Sequence, residues 1–312
     1  MNHLGEIISL LVAVSWTATA LFADEASHRL GAMTVNVIRL VISAVILALV
    51  LWCTVGAPYP VSADGATWHW LGLSALVGYI FGDFCLFNSY VIIGARFGQL
   101  FMTLAPPAAA VTGMLLLGET MSWKAVLAMV VTLSGIAISI LSRTDGKHVR
   151  LNLPLKGILL GIGAGVGQGV GLVLSKIGLQ HYEAALPTDT PALMGEMLPV
   201  ASTMIRSVVG GIGFLAIMAL MKDLPKLKAA FQNREGMKYA LLTTLFGPVI
   251  GVSLSLMAVR SANAGIASTL MALTPVLIII PYVFIYKRKV SGKEILGACL
   301  SMTGVALFFL LN

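Results

Sequence analysis

Apolar residues run in long blocks along this chain, and polar positions gather in the short gaps between them. The blocks fall at approximately 5–23, 32–53, 68–92, 95–117, 121–141, 155–175, 199–221, 238–258, 262–286 and 292–311. Each is long enough to cross about 30 Å of hydrocarbon as a helix, and none alternates like the strands of a membrane barrel. The pattern predicts an all-α, polytopic membrane protein with ten transmembrane helices. Two gaps are longer than the rest, 176–198 with Pro187, Asp189 and Pro191, and the basic 222–237. Neither has room for a soluble domain.

The blocks repeat. A shift of 169 residues places Gly78 on Gly247, Gly82 on Gly251, Pro106 on Pro275, Ser122 on Ser291, Lys124 on Lys293 and Gly135 on Gly304. Nearer the start the offset falls to 167, pairing Arg39 with Arg206, and then to 152, pairing Gly5 with Gly157, because 176–198 carries extra residues. Residues 1–141 form one copy and 155–312 the other. Five helices per copy is an odd number, so the second copy enters the membrane from the opposite side and the repeats are inverted. Inverted repeats give two near-equivalent arrangements about a site at mid-membrane, the geometry that alternating access needs.

Composition agrees, with 58% hydrophobic and 11% charged residues, too few charges for a water-soluble surface. The formal net charge of +7 is spread over short loops and forms no nucleic-acid patch. Of the 20 Lys and Arg residues, the connections after the odd-numbered helices hold the great majority, and the opposite face only Lys124, Lys176 and Arg260. Cytoplasmic loops accumulate such residues, so both termini are expected outside the cell membrane. Met1 to Glu6 contains no Lys or Arg and Ile7–Ala23 ends without a cleavage motif, so the first block reads as a retained span. Cys53, Cys85 and Cys299 lie in apolar stretches without CxxC spacing, which supports neither disulfides nor zinc. No cofactor or metal is expected.

The segment Leu104–Leu141 and its duplicate resemble the EamA-like family of the drug/metabolite transporter superfamily. Leu104-Ala105-Pro106 and Leu273-Thr274-Pro275 are similar to the family's L-x-P, Gly118-Glu119 to its G-E, Gly135 and Gly304 to its late glycine, and Arg39 and Arg206 to its early arginine. The resemblance implies a ten-helix secondary carrier for small metabolites with a central cavity between its halves. The second copy departs from it, with Lys287-Arg288 where the first has Gly118-Glu119. The charge count also departs from the family's usual picture, in which both termini are cytoplasmic.

Several residues carry chemistry. Asp83 lies inside the third block, where an ionised carboxylate is costly unless paired, hydrated or protonated. It reads either as a proton-coupling or amine-binding group, or as a structural bridge to Arg39 or Arg206. Those two arginines either snorkel, pair, or line the cavity and hold a substrate carboxylate. Asn88, Gln99 and Gln168 are able to bond a substrate or a neighbouring helix. Trp16, Tyr79 and Tyr90 are candidates for cavity walls or for the membrane interface. Gly161, Gly163, Gly165, Gly167, Gly169 and Gly171 form two rows of small-xxx-small spacing and no nucleotide loop, so close helix packing is expected. Pro106, Pro107 and Pro275 break the fourth and ninth helices, and such matched breaks point to a transporter's binding site.

The reading that follows is a secondary transporter of a small-molecule solute across the lipid bilayer, with a proton as a candidate coupling ion and export one of the open directions. Monomer and homodimer both stay open. An intramembrane enzyme is disfavoured, because His3, His28, His69, His148 and His181 lie outside the blocks and no second aspartate accompanies Asp83 within one. A non-transporting scaffold or receptor is the alternative, although it has little need of inverted duplication.

Overall fold

The computed structural model describes residues 3–141, 154–188, 190–277 and 291–311. Among these residues the regular structure is entirely helical, as the absence of alternating apolar strands predicts. The helices are α1 (Leu4–Leu30), α2 (Ala32–Val55), α3 (Gly65–Gly94), α4 (Phe97–Leu117), α5 (Trp123–Leu141), α6 (Leu155–Ala184), α7 (Leu198–Leu220), α8 (Arg234–Ser261), α9 (Ala264–Met271) and α10 (Gly292–Leu311).

Seven of these, α1 to α4 and α6 to α8, are long and apolar enough to cross a membrane, against the ten expected. α5 and α10 are apolar helices of 19 and 20 residues, α9 stops after two turns, and the rest of the expected ninth span beyond Leu277 lies outside the described residues, as do Lys287 and Arg288. The chain is a multi-pass membrane protein. Its outer surface carries Leu11, Val14, Val45, Trp52, Leu115 and Ile212, all more than half exposed, as a lipid-facing surface requires.

Boundaries follow local chemistry. Gly31 at φ 84° ends α1, and Gly56 at φ 78° ends α2, both in a region that side chains avoid. Asp64 caps α3, its carboxylate accepting from Thr67 N at 2.8 Å. Gly94, at φ 80° and ψ 154°, separates α3 from α4.

Packing runs across the two sequence halves. α1 lies on α8 and α9, α6 on α3 and α4, α2 on α7, α4 on α9, and α5 on α10. The glycines of α6 explain the closeness on that side. Gly161, Gly165 and Gly169 face Phe101, Leu104 and Ala105 of α4, while Gly163, Gly167 and Gly171 face Phe81, Cys85, Gly82 and Gly78 of α3. One row of small residues thus serves each neighbour. Between α5 and α10, Gly135 sits against Ser301 and Gly304 against Thr132.

Two segments depart from α-geometry. Ala75–Asp83 in α3 and Leu245–Val252 in α8 are π-helical, and Pro248 lies within the second. Such widened turns leave carbonyls for other donors. Gln168 Nε2 donates to Gly78 O at 3.0 Å, and Ser15 Oγ to Phe246 O at 2.6 Å.

Candidate functional site

The core is hollow where these irregular segments meet. Two adjoining cavities, of about 620 and 610 Å³ of empty space, share Trp16, Tyr79, Gln99, Met102, Gln168, Val252 and Thr274 as walls. Arg206, Ser255, Ser268 and Met271 line the first in addition, and Arg39, Asp83, Phe87 and Tyr90 the second.

Of the nine polar and aromatic side chains singled out in the sequence, eight therefore converge: Asp83, Arg39, Arg206, Gln99, Gln168, Trp16, Tyr79 and Tyr90. Asn88 does not. Its amide donates to Phe84 O at 2.7 Å, one turn back along its own helix, and it lines neither cavity.

Asp83 closes the π-helical segment of α3 and is 4% exposed. Its Oδ2 accepts from Arg39 Nη2, and its Oδ1 accepts from Gln168 Nε2 at 2.6 Å. Arg39 also donates through Nε to Asn36 Oδ1 at 2.9 Å and lies over the Phe87 ring, 4.8 Å from its centroid. α2, α3 and α6 are thereby tied together at one buried carboxylate. Arg206 approaches the same region from α7 and stacks on Tyr79, 4.4 Å from the ring centroid. Both arginines reach the neighbouring π-segments over a glycine. A methyl group added at Gly78 would lie 3.1 Å from Arg206 Nη2, and one at Gly247 would lie 3.8 Å from Arg39 Nη1.

Helix breaks border the hollow. In α4 a 3₁₀ turn, Met102–Leu104, precedes Pro106 and Pro107, which take the first turn of the following helical segment where a missing N–H costs little. After α9 the chain breaks at Ala272 and Leu273, and Pro275 falls in the short helix Thr274–Leu277. Backbone carbonyls at these breaks need donors in a dry environment. Thr17 Oγ1 reaches Thr274 O at 3.3 Å, and Thr274 Oγ1 reaches Met271 O at 3.2 Å.

A second buried ion pair stands apart from the cavity. Lys176 was expected in a loop, but α6 continues past it to Ala184 and buries it. Its Nζ donates to Glu119 and, at 2.7 Å, to Ala262 O, while Glu119 Oε2 accepts from Ala264 N at 2.9 Å. The acid of Gly118-Glu119 thus caps α9 and pins α6 against the α8–α9 turn. Glu119→Gln keeps one acceptor but leaves Lys176 without its counter-charge, so chemical denaturation should show a loss of about 1–3 kcal/mol.

Among the described residues no group of three or more His, Cys, Asp or Glu side chains is placed to hold a metal ion.

Comparison with known proteins places this architecture. A 126-residue stretch is 30% identical to the uncharacterized inner membrane transporter YhbE of Escherichia coli K12, and equally to its counterparts in Escherichia coli O157:H7 and Shigella flexneri. The match covers 40% of this chain and 38% of those relatives' length. A solved crystal structure superposes with a TM-score of 0.70 over 98% of this chain and 96% of its own, at 17% identity, which establishes the likeness of fold. The family model of EamA-like transporters matches residues 3–141 and again 155–310. The chain belongs to the EamA-like transporter family of the drug/metabolite transporter superfamily.

Proposed function

We propose that the protein is a secondary carrier of a small metabolite, working by alternating access between two inverted five-helix repeats, 1–141 and 155–312. The observation that carries this reading is the central cavity, whose walls come from both sequence halves and whose irregular backbone segments occur at matching positions. The π-helical segments Ala75–Asp83 and Leu245–Val252 overlie one another at the 169-residue offset, and so do the breaks at Met102–Leu104 and Ala272–Leu273. The packing supports it too. Exchanging each helix for the one five places on turns α1 on α8 into α6 on α3, and α4 on α6 into α9 on α1, contacts that all occur. A frame of this kind has two nearly equivalent packings, which is what rocking about a fixed site requires.

Asp83 is the proposed proton-coupling group, released from Arg39 and Gln168 when the halves rock. Reconstituted protein is expected to exchange a metabolite between liposome compartments under an imposed pH gradient. Asp83→Asn should abolish the response to that gradient while counterflow of the same solute persists at reduced rate. If folded protein in liposomes moved no member of a broad metabolite panel under any gradient, the carrier reading would fail.

The loop charges support an orientation with both termini outside. A periplasmic-type reporter fused after Asn312 is then expected to be active and a cytoplasmic fluorescent one dark; the opposite pattern would reverse the topology.

A further inference from the structure

We propose that the cavity is built for a small organic monoanion, a carboxylate on an apolar body, with Arg206 taking the carboxylate; this rests on the carrier reading above. Arg39, Asp83 and Arg206 are the Lys, Arg, Asp, Glu or His side chains that line the cavities among the described residues. Two of them cancel. Arg39 is spent on Asp83 and Asn36, and the two oxygens of Asp83 are already engaged by Arg39 and Gln168. Arg206 is different. It is 4% exposed, its Nε has no hydrogen-bond partner, and among the described residues no carboxylate lies within ion-pair distance of it. The Tyr79 ring beneath it fixes the guanidinium plane without neutralising the charge.

A desolvated cation with an unused donor is costly until a counter-charge arrives. The guanidinium fork matches a carboxylate with two parallel N–H···O bonds, and does so better than an ammonium would. Charge decides the class of solute. The site as described carries one net positive charge, so a monoanion leaves it neutral, a dianion overshoots, and an amine adds repulsion while Asp83 is already paired with Arg39. The cavity that Arg206 lines also has Trp16, Leu172, Val252 and Met271 in its walls, and its uncharged polar members include Gln99, Gln168, Ser255 and Ser268. That surface suits an apolar body.

The test uses the full-length purified protein in detergent and measures thermal shifts with 3-phenylpropionate, octanoate and indole-3-acetate, set against 3-phenylpropionamide and phenethylamine. At least one carboxylate should raise the melting temperature, its amide should do so far more weakly, and the amine should have no effect. Arg206→Gln should weaken the carboxylate by roughly 10- to 100-fold, and Arg206→Lys by less. Should Arg206→Gln fail to fold, the ranking of probes on the unaltered protein decides alone. Equal binding of a carboxylate and its amide, preference for the amine, an indifferent folded Arg206→Gln, or no shift with any carboxylate would each overturn the proposal. Liposome flux separates it from the reading beneath. Transport of amines or neutral solutes without anions sinks the anion assignment and spares the carrier, whereas carboxylate binding without flux of any solute does the reverse.

Discussion

Asp83→Ala destabilises the protein by about 3–5 kcal/mol, the cost of stranding one member of a buried ion pair. The side chains of Arg39 and Asp83 are 5% and 6% exposed, so water cannot take over the lost interaction. Gln168 loses an acceptor as well, which adds to the deficit. The double replacement Arg39→Met/Asp83→Leu removes both charges together and should recover most of the loss, because pairs exchanged for apolar residues of similar volume are often neutral or better. Denaturant titration of the two single variants and the double variant measures this directly. Non-additivity of at least about 2 kcal/mol is expected for groups in such contact. Additive losses would mean that the pair is not coupled.

Gly171→Val carries the second large effect, a loss of about 3 kcal/mol with transport abolished. A side chain at this position meets backbone, with Gly78 Cα 2.7 Å and Gly78 N 3.0 Å from the added carbon. No rotamer relieves a clash with main chain, so the cost sits at the upper end of overpacking values. It also pushes α6 off the π-helical segment of α3, which carries Tyr79 and Asp83 to the cavity. Gly195→Ala is the control. Nothing lies within 4 Å of its added carbon, and a change below about 0.5 kcal/mol is expected. Comparable melting curves for the two variants would show that closeness at Gly171 is dispensable.

Much of this was legible in the chain because a membrane makes polarity conspicuous. Asp83, Arg39 and Arg206 stand out in apolar runs, and burying them together is the cheapest outcome, so their convergence follows from solvation. Asn88 shows the limit. An amide one turn above a carbonyl of its own helix satisfies itself locally, and hydropathy cannot tell that from a cavity-facing residue. The π-helical segments carried a trace of a signal in the matched pairs Gly78/Gly82 and Gly247/Gly251, but spacing alone does not separate a widened turn from an ordinary one. Hydropathy ends the sixth block at 175, one residue before Lys176, because the burial of that lysine depends on Glu119, 57 positions away in sequence. Seven described helices qualify as spans, and the ninth of the ten expected is interrupted at Ala272 and Leu273 and leaves the described residues beyond Leu277.

The two π-helical walls share a frame but not a lining. Where one presents Tyr79 and Asp83, the other has Pro248 and Val252 at the matching positions, and Gln168 faces Trp16 across a similar correspondence. A guest held in that hollow therefore meets a handed environment, hydrophilic on one flank and greasy on the other. Mirror-image forms of a chiral solute will not be carried alike, and a racemic mixture offered to reconstituted vesicles should come out enriched in one enantiomer.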